Sequence, residues 1–198
     1  RIVMQTTMTN TGDTAQAGLL SGQTLWPSTG YFFGVPGLGD LQEGKSTGAL
    51  ASRAVAYDED WSITLHAPYM NFVGSRSKDL FLQHTMQPGE SRTFDAWLQV
   101  GARGDLSPVV AAEIERGRLL AGTLRGSVTA RDGKPVNEPV VVVSKQGTPY
   151  AWSFGHDGRY EIALPAGDYQ IYATGEGYSQ GKPRSVQISA NGTTMSDF

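Results

Sequence analysis

Between Gly122 and Ser189 the chain repeats one short rhythm, and that rhythm limits the fold more than any other feature. Leu124 to Ala130, Val140 to Ser144, Tyr150 to Phe154, Tyr160 to Leu164, Tyr169 to Ala173 and Arg184 to Ser189 are β-branched, aromatic or strictly alternating runs. Turn residues separate them: Asp132-Gly133-Lys134-Pro135, Gly147, His156-Asp157-Gly158 and Pro165-Ala166-Gly167-Asp168. Such connections are too short for the crossover that parallel neighbours need, so the strands should pair antiparallel in a compact sandwich. The 25 glycines among 198 residues, near twice the usual ~7%, supply these turns. Hydrophobic residues at 39% suffice for a core, and with no cysteine in the chain neither a disulfide framework nor a thiolate zinc site contributes to it.

The first half carries a looser form of the same pattern. Arg1 to Thr9 leads into the turn cluster Asn10-Thr11-Gly12-Asp13, where Asn and Asp can bond nearby backbone. Ala51 to Tyr57, Trp61 to His66, Asn71 to Val73, Leu80 to His84 and Arg92 to Val100 read as strands, whereas Ala17 to Trp26 is mixed and Pro27 to Gly48 is loop-like. In the best of them Phe94, Ala96, Leu98 and Val100 alternate with Thr93, Asp95, Trp97 and Gln99, the period of a half-buried strand. One helix is expected near 106–117, with Asp105 or Ser107 as N-cap, Pro108 in the first turn and Gly117 at the end. The expected architecture is all-β: two consecutive antiparallel β-sandwich domains, 1–121 ending in that helix and 122–198, divided near Ala121.

Charge excludes some partners. With 16 Lys+Arg against 19 Asp+Glu, nothing draws the chain as a whole to a phosphate backbone, so nucleic acid is not an expected partner. The apolar run Val140 to Val143 stops at Ser144, far short of the ~20 residues of a transmembrane helix. The chain opens on Arg1 with neither initiator Met nor signal peptide and reads as a piece of a larger protein.

The second half resembles a known module. Gly126-x-Val128, Gly133-x-Pro135-Val136, Val140 to Val143, Asp157-Gly158-x-Tyr160 and Leu164-Pro165-Ala166-Gly167-x-Tyr169 occur in the order found in carboxypeptidase-regulatory-like domains. The resemblance implies a prealbumin-like, seven-strand Greek-key sandwich with Tyr160 and Tyr169 packing from either side of the Pro165 to Gly167 reversal. It departs at Glu138-Pro139, where the family usually has a small pair. Residues 1–121, with the turn after the leading strand, Gly30-Tyr31 and the Phe94 to Val100 strand running into Gly101-Ala102-Arg103-Gly104-Asp105, resemble the accessory sandwich of bacterial metal-dependent hydrolases. These are CehA/McbA-type members of the polymerase-and-histidinol-phosphatase superfamily. That resemblance implies a catalytic domain of the same parent chain as partner and an extracellular or periplasmic location.

Catalytic constellations are sparse. His66, His84 and His156 are far apart in sequence and match no metal-ligand spacing, although His66 and His84 side by side could hold one ion. Gly74-Ser75-Arg76-Ser77 lacks the strand-to-helix context of a nucleophile elbow. Gly37-x-Gly39 has no third glycine at dinucleotide spacing. Asp58-Glu59-Asp60 reads as a solvated turn. No catalytic residue, metal site or cofactor is therefore assigned. The aromatics are the candidate ligand-binding residues: Trp26, Tyr31 and Phe32 in the loop-like segment, and Tyr150 and Trp152, two apart and so expected on one strand face, where exposed rings would form a platform for polysaccharide. The main expectation is a non-catalytic accessory region positioning a metal-dependent hydrolase domain. A pair of carbohydrate-binding modules is the alternative, and a sandwich-type carbohydrate lyase or epimerase using Tyr or His as proton carriers is the weakest.

Overall fold

The computed structural model describes residues 2–25, 32–35, 39–40, 45–46, 53–70, 72–74 and 79–198. It is mostly β, with several antiparallel sheets and one helix among the described residues, as an all-β sandwich fold requires. The chain divides into two compact units, Arg1–Gly104 and Asp105–Phe198.

The first unit contains two sheets. In the larger, the order is β1 (Ile2–Thr9), β10 (Ser91–Ala102), β7 (Trp61–His66), β6 (Arg53–Tyr57), β3 (Phe32–Val35) and β4 (Gly39–Asp40). In the smaller it is β2 (Gln16–Thr24), β9 (Asp79–Met86), β8 (Phe72–Gly74) and β5 (Lys45–Ser46). The mixed stretch expected after Ala17 is a strand. Gly18, at φ 70°, sits in a register shift between Gln16 and Leu19, and that irregularity breaks its alternation. On one face of the larger sheet, cross-strand partners Ala54 and Leu65, Ala56 and Ile63, and Met4 and Ala96 build the core with Met70 and Leu25. Phe94 and Ala96 are buried as their alternation predicts, but Val100, farther along the strand, is 67% exposed.

Asn10 closes one end of this unit. Its Nδ2 donates to the carbonyls of Thr14 (2.9 Å) and Met86 (3.2 Å), and its Oδ1 accepts the Gly12 N–H. The side chain thereby joins the turn after β1 to the end of β9.

His84 lies between the sheets, its ring edge-on to Phe94 at 5.5 Å. Ser21 Oγ donates to Met8 Sδ at 2.8 Å and lies 2.7 Å from His84 Nε2, while Arg92 Nη1 lies 3.4 Å from His84 Nδ1. With the Ser21 hydroxyl proton committed to sulfur and a guanidinium facing Nδ1, the network fits a neutral ring protonated at Nε2. Burial, then Arg92, lower its pKa from the ordinary 6.5, and Glu90 opposes them. The unfolded chain thus binds more protons than the folded one as pH falls through 6.5, and stability declines in that window. The unfolding temperature of the first unit should drop between about pH 7.5 and about pH 5.5, and His84→Gln should flatten that drop. Glu90, held low chiefly by its bonds to the Gln87 N–H and to Arg92, acts at more acid pH. Parallel melts of the two proteins across this range check the prediction; equal slopes would refute it.

The second unit pairs a three-stranded sheet with a four-stranded one. The first orders β14 (Arg159–Pro165), β11 (Ala121–Ser127) and β17 (Thr193–Met195). The second orders β13 (Thr148–Phe154), β12 (Val140–Lys145), β15 (Gly167–Thr174) and β16 (Arg184–Ile188). Leu124, Ile162 and Leu164 from one sheet and Val141, Val143 and Ile171 from the other are buried. The two tyrosines join this core with their hydroxyls satisfied: Tyr160 donates to the Ser196 carbonyl (2.6 Å) and Tyr169 to that of Pro165 (2.9 Å). At Glu138-Pro139, the Gly155 N–H donates to the Pro139 carbonyl at 2.6 Å. A Cβ on Gly155 would lie 2.6 Å from the proline ring, so the glycine just after β13 accommodates the proline just before β12.

Helix α1 (Ser107–Gly117) has Pro108 in its first turn and ends at Arg118 in the left-handed conformation, φ 47°. Its N-cap residue is Leu106; Asp105 acts one position earlier, Oδ1 accepting the Ser107 N–H at 2.8 Å and bonding its hydroxyl. Val109 and Val110 are buried, and the helix lies against β14 and β13. It thus belongs to the second compact unit, which begins at Asp105, whereas the sequence pattern ended the first domain with it.

Candidate functional site

Three places gather chemistry-bearing side chains. The outward row of the four-stranded sheet aligns Trp152, Val142 and Tyr172 across β13, β12 and β15, with Phe154, Val140 and Thr174 in the next row. All six are half-buried. Tyr150 does not join them. It is skipped where the pairing shifts from Val143–Ala151 to Ser144–Pro149, and its ring lies 5.8 Å from that of Tyr169, which belongs to the inward row. The extra residue turns Tyr150 to the other side, so the ring that shares the face of Trp152 is Tyr172. Trp26 and Tyr31 lie outside the described residues, and Phe32 is described only by its backbone pairing with Tyr57 in β3.

The second place is a polar row on the larger sheet of the first unit, on the face opposite its core. Arg53, His66 and Trp97 are cross-strand partners, as are Val55, Thr64 and Gln99. His66 Nε2 and Gln99 Oε1 are 2.8 Å apart. Arg53, Ser62, Thr64 and His66 are all buried. The polar phase of Trp61 to His66 normally marks a solvated face, so alternation alone gave no warning of this burial. His66 and His84 do not come together, since they lie on different sheets with Gln99 and Ser21 as their respective partners. Among the described residues no group of three His, Asp or Glu is placed to hold a metal ion.

The third is an open cavity of about 700 Å³ beside β11 and β14, lined by Arg125, Arg159, Glu161, Asp197, His156 and Ser127, among others. Asp197 is engaged: its Oδ1 accepts the Ser127 N–H (2.7 Å) and hydroxyl (2.8 Å), and these bonds hold its carboxyl below the usual range. Tyr160 lines the cavity with its hydroxyl donated to Ser196, and burial pushes its phenol up to about 12. That phenol stays protonated at neutral pH and its proton is already given. His156 Nε2 lies 3.3 Å from Asp157 Oδ2 in an exposed pair. Asp58, expected in a solvated turn, accepts the N–H groups of Asp60 (2.8 Å) and Trp61 (2.9 Å) and starts β7. No helix of the described residues is long and apolar enough to cross a membrane.

No curated protein matches the chain. Solved structures similar to it include a DUF3823 family protein from Bacteroides ovatus ATCC 8483, 23% identical over 38% of this chain and 42% of that one, with a TM-score of 0.30. The Bacillus anthracis TIE protein is 11% identical over 99% of this chain and 40% of its own, TM-score 0.34. BcpA, the major pilin subunit of Bacillus cereus, is 13% identical over 79% of this chain and 40% of its own, TM-score 0.31. The chain thus spans less than half the length of each. Residues 123–198, within the second unit, match the family model of the carboxypeptidase regulatory-like domain, the resemblance that the Gly133, Tyr160 and Tyr169 segments carry.

Proposed function

We propose that this chain is a non-catalytic accessory region of a larger secreted or envelope bacterial protein. It positions a metal-dependent hydrolase domain of the same parent chain, outside the cell or in the periplasm. The observation that carries the reading is the regulatory-like domain at 123–198. The side chains support it, because the groups best suited to proton transfer are engaged within the fold: His84 with Ser21, His66 with Gln99 and Tyr160 with Ser196. The row of Trp152, Val142 and Tyr172 favours a second reading, in which the same chain binds polysaccharide.

One experiment separates the readings. The folded chain is incubated with phosphoester, ester and amide substrates in the presence of divalent metal, and in parallel applied to a glycan array with its Trp152→Ala variant. No turnover is expected, and clear turnover would overturn the accessory role. Array binding that Trp152→Ala abolishes would favour the second reading, and a blank array would remove it. In the parent protein, a His-x-His motif soon after Phe198 is the expected mark of the hydrolase domain.

A further inference from the structure

A second concavity, of about 430 Å³, lies in the second unit between the Val128 to Arg131 segment, the end of β15 and the loop from Tyr178 to Arg184. Its charged side chains are of one sign. Arg131, Lys182 and Arg184 line it and no Asp or Glu side chain does, although acids outnumber bases 19 to 16 in the whole chain. Arg184 is held in place: its guanidinium stacks over the Phe198 ring at 4.7 Å and donates to the Asp197 carbonyl. Phe198 is fixed in turn, its carbonyl accepting the Thr129 N–H (2.8 Å) and hydroxyl (2.9 Å).

At the mouth stands Tyr178, 48% exposed. Its N–H donates to the Gly175 carbonyl at 3.0 Å, closing a turn in which Gly177 takes φ 76°, and the Gly181 N–H donates to Ala173 at 2.7 Å. The loop that presents the ring is thereby tied to β15. An exposed aromatic face, two further cations at the wall and a fixed guanidinium form a combination that neither core packing nor solvation calls for. Arginine's planar fork matches a carboxylate or sulfate group, and a tyrosine face suits the apolar face of a sugar ring. The volume is in the range of small-ligand sites.

We infer that this cavity binds an acidic saccharide unit, the acid group on Arg131 and Lys182 beside Arg184 and the ring on Tyr178. The site is independent of the accessory role and of the Trp152 row. Its test is calorimetric titration of the folded chain with tetragalacturonate and with a heparin-derived tetrasaccharide, which tell carboxylate from sulfate. A neutral galacto-oligosaccharide and inorganic sulfate at matched ionic strength serve as controls. Saturable binding of either acidic oligosaccharide is expected, weakened about tenfold or more by Arg131→Ala with Lys182→Ala and again by Tyr178→Ala. These residues are exposed, so an unchanged melting temperature in each variant keeps the comparison valid. The inference is overturned if neither acidic oligosaccharide binds saturably, if the neutral one binds equally well, or if Tyr178→Ala leaves binding unchanged while inorganic sulfate abolishes it.

Discussion

Replacing Gly126 by alanine is expected to destabilise the second unit by about 3 kcal/mol, the upper part of the range for overpacking a filled interior. A Cβ at this position would overlap the Ser196 carbonyl oxygen, with the carbonyl carbon 2.7 Å and the Tyr160 ring 3.1 Å away. Backbone, not a flexible side-chain end, is what would have to give. Moving Ser196 also loosens the bonds that gather there: Tyr160 to Ser196, Ser127 to Asp197 and Thr129 to Phe198. Gly133→Ala is the control. Its φ of 82° is strained for alanine but nothing lies within 4 Å of the added carbon, so a loss of only about 1–2 kcal/mol is expected. Denaturant melts, with hydrogen exchange over Thr193–Met195, give the comparison. Equal stability of Gly126→Ala and the parent would show that the carbonyl is not where the structure puts it.

Leu65→Ala should cost the first unit about 2–5 kcal/mol. Leu65 is 1% exposed, and around it the core holds the small residues Ala54, Ala56, Ala67 and Ala96. A cavity among alanines cannot be filled by their rotation, because they have no rotamers to change. Leu65→Met, which nearly conserves volume, should cost less than about 1.5 kcal/mol. The readout is hydrogen-exchange protection of β7 and β10. A Leu65→Ala protein with undiminished protection there would contradict the core assignment.

Period-two alternation made most of the second unit legible. Tyr160, Ile162 and Leu164 are buried, as the alternation in that run requires, and glycines at positive φ stand at Gly133 and Gly158 where the turns were read. Departures came where the backbone, not the side-chain pattern, decides. The bulge at Tyr150 inserts a residue that alternation cannot register, so a pair two apart in sequence faces opposite ways. Strand β17 is Thr193-Thr194-Met195, with no buried side chain among the three; it is held by pairing parallel to β11, which composition does not reveal. Helix α1 was legible from Pro108 and the residues after it, but its place was not, because the strands it packs against lie later in the chain. In the four-stranded sheet, Trp152 alternates with the buried Ala151 and Ser153, which the sequence shows; Tyr172 was hidden inside a strand read for its buried phase. The cationic cavity draws residues from three separated segments, and no local window contains them.

The parallel pairing of β17 with β11 bears on the order of events during synthesis. Domains tend to fold as units, amino-terminal first, as the chain emerges. All described strands of the first unit are complete once Ala102 has appeared. The second unit has to wait, because Ser127 and its partner Asp197 are 70 residues apart, and β11 gains its second neighbour only when Thr193–Met195 arrives. Until then one edge of a central strand, with its backbone groups unpaired, is open to any other extended segment. Within the second unit, the strand that covers the open edge of β11 is thus made about 70 residues after β11 itself.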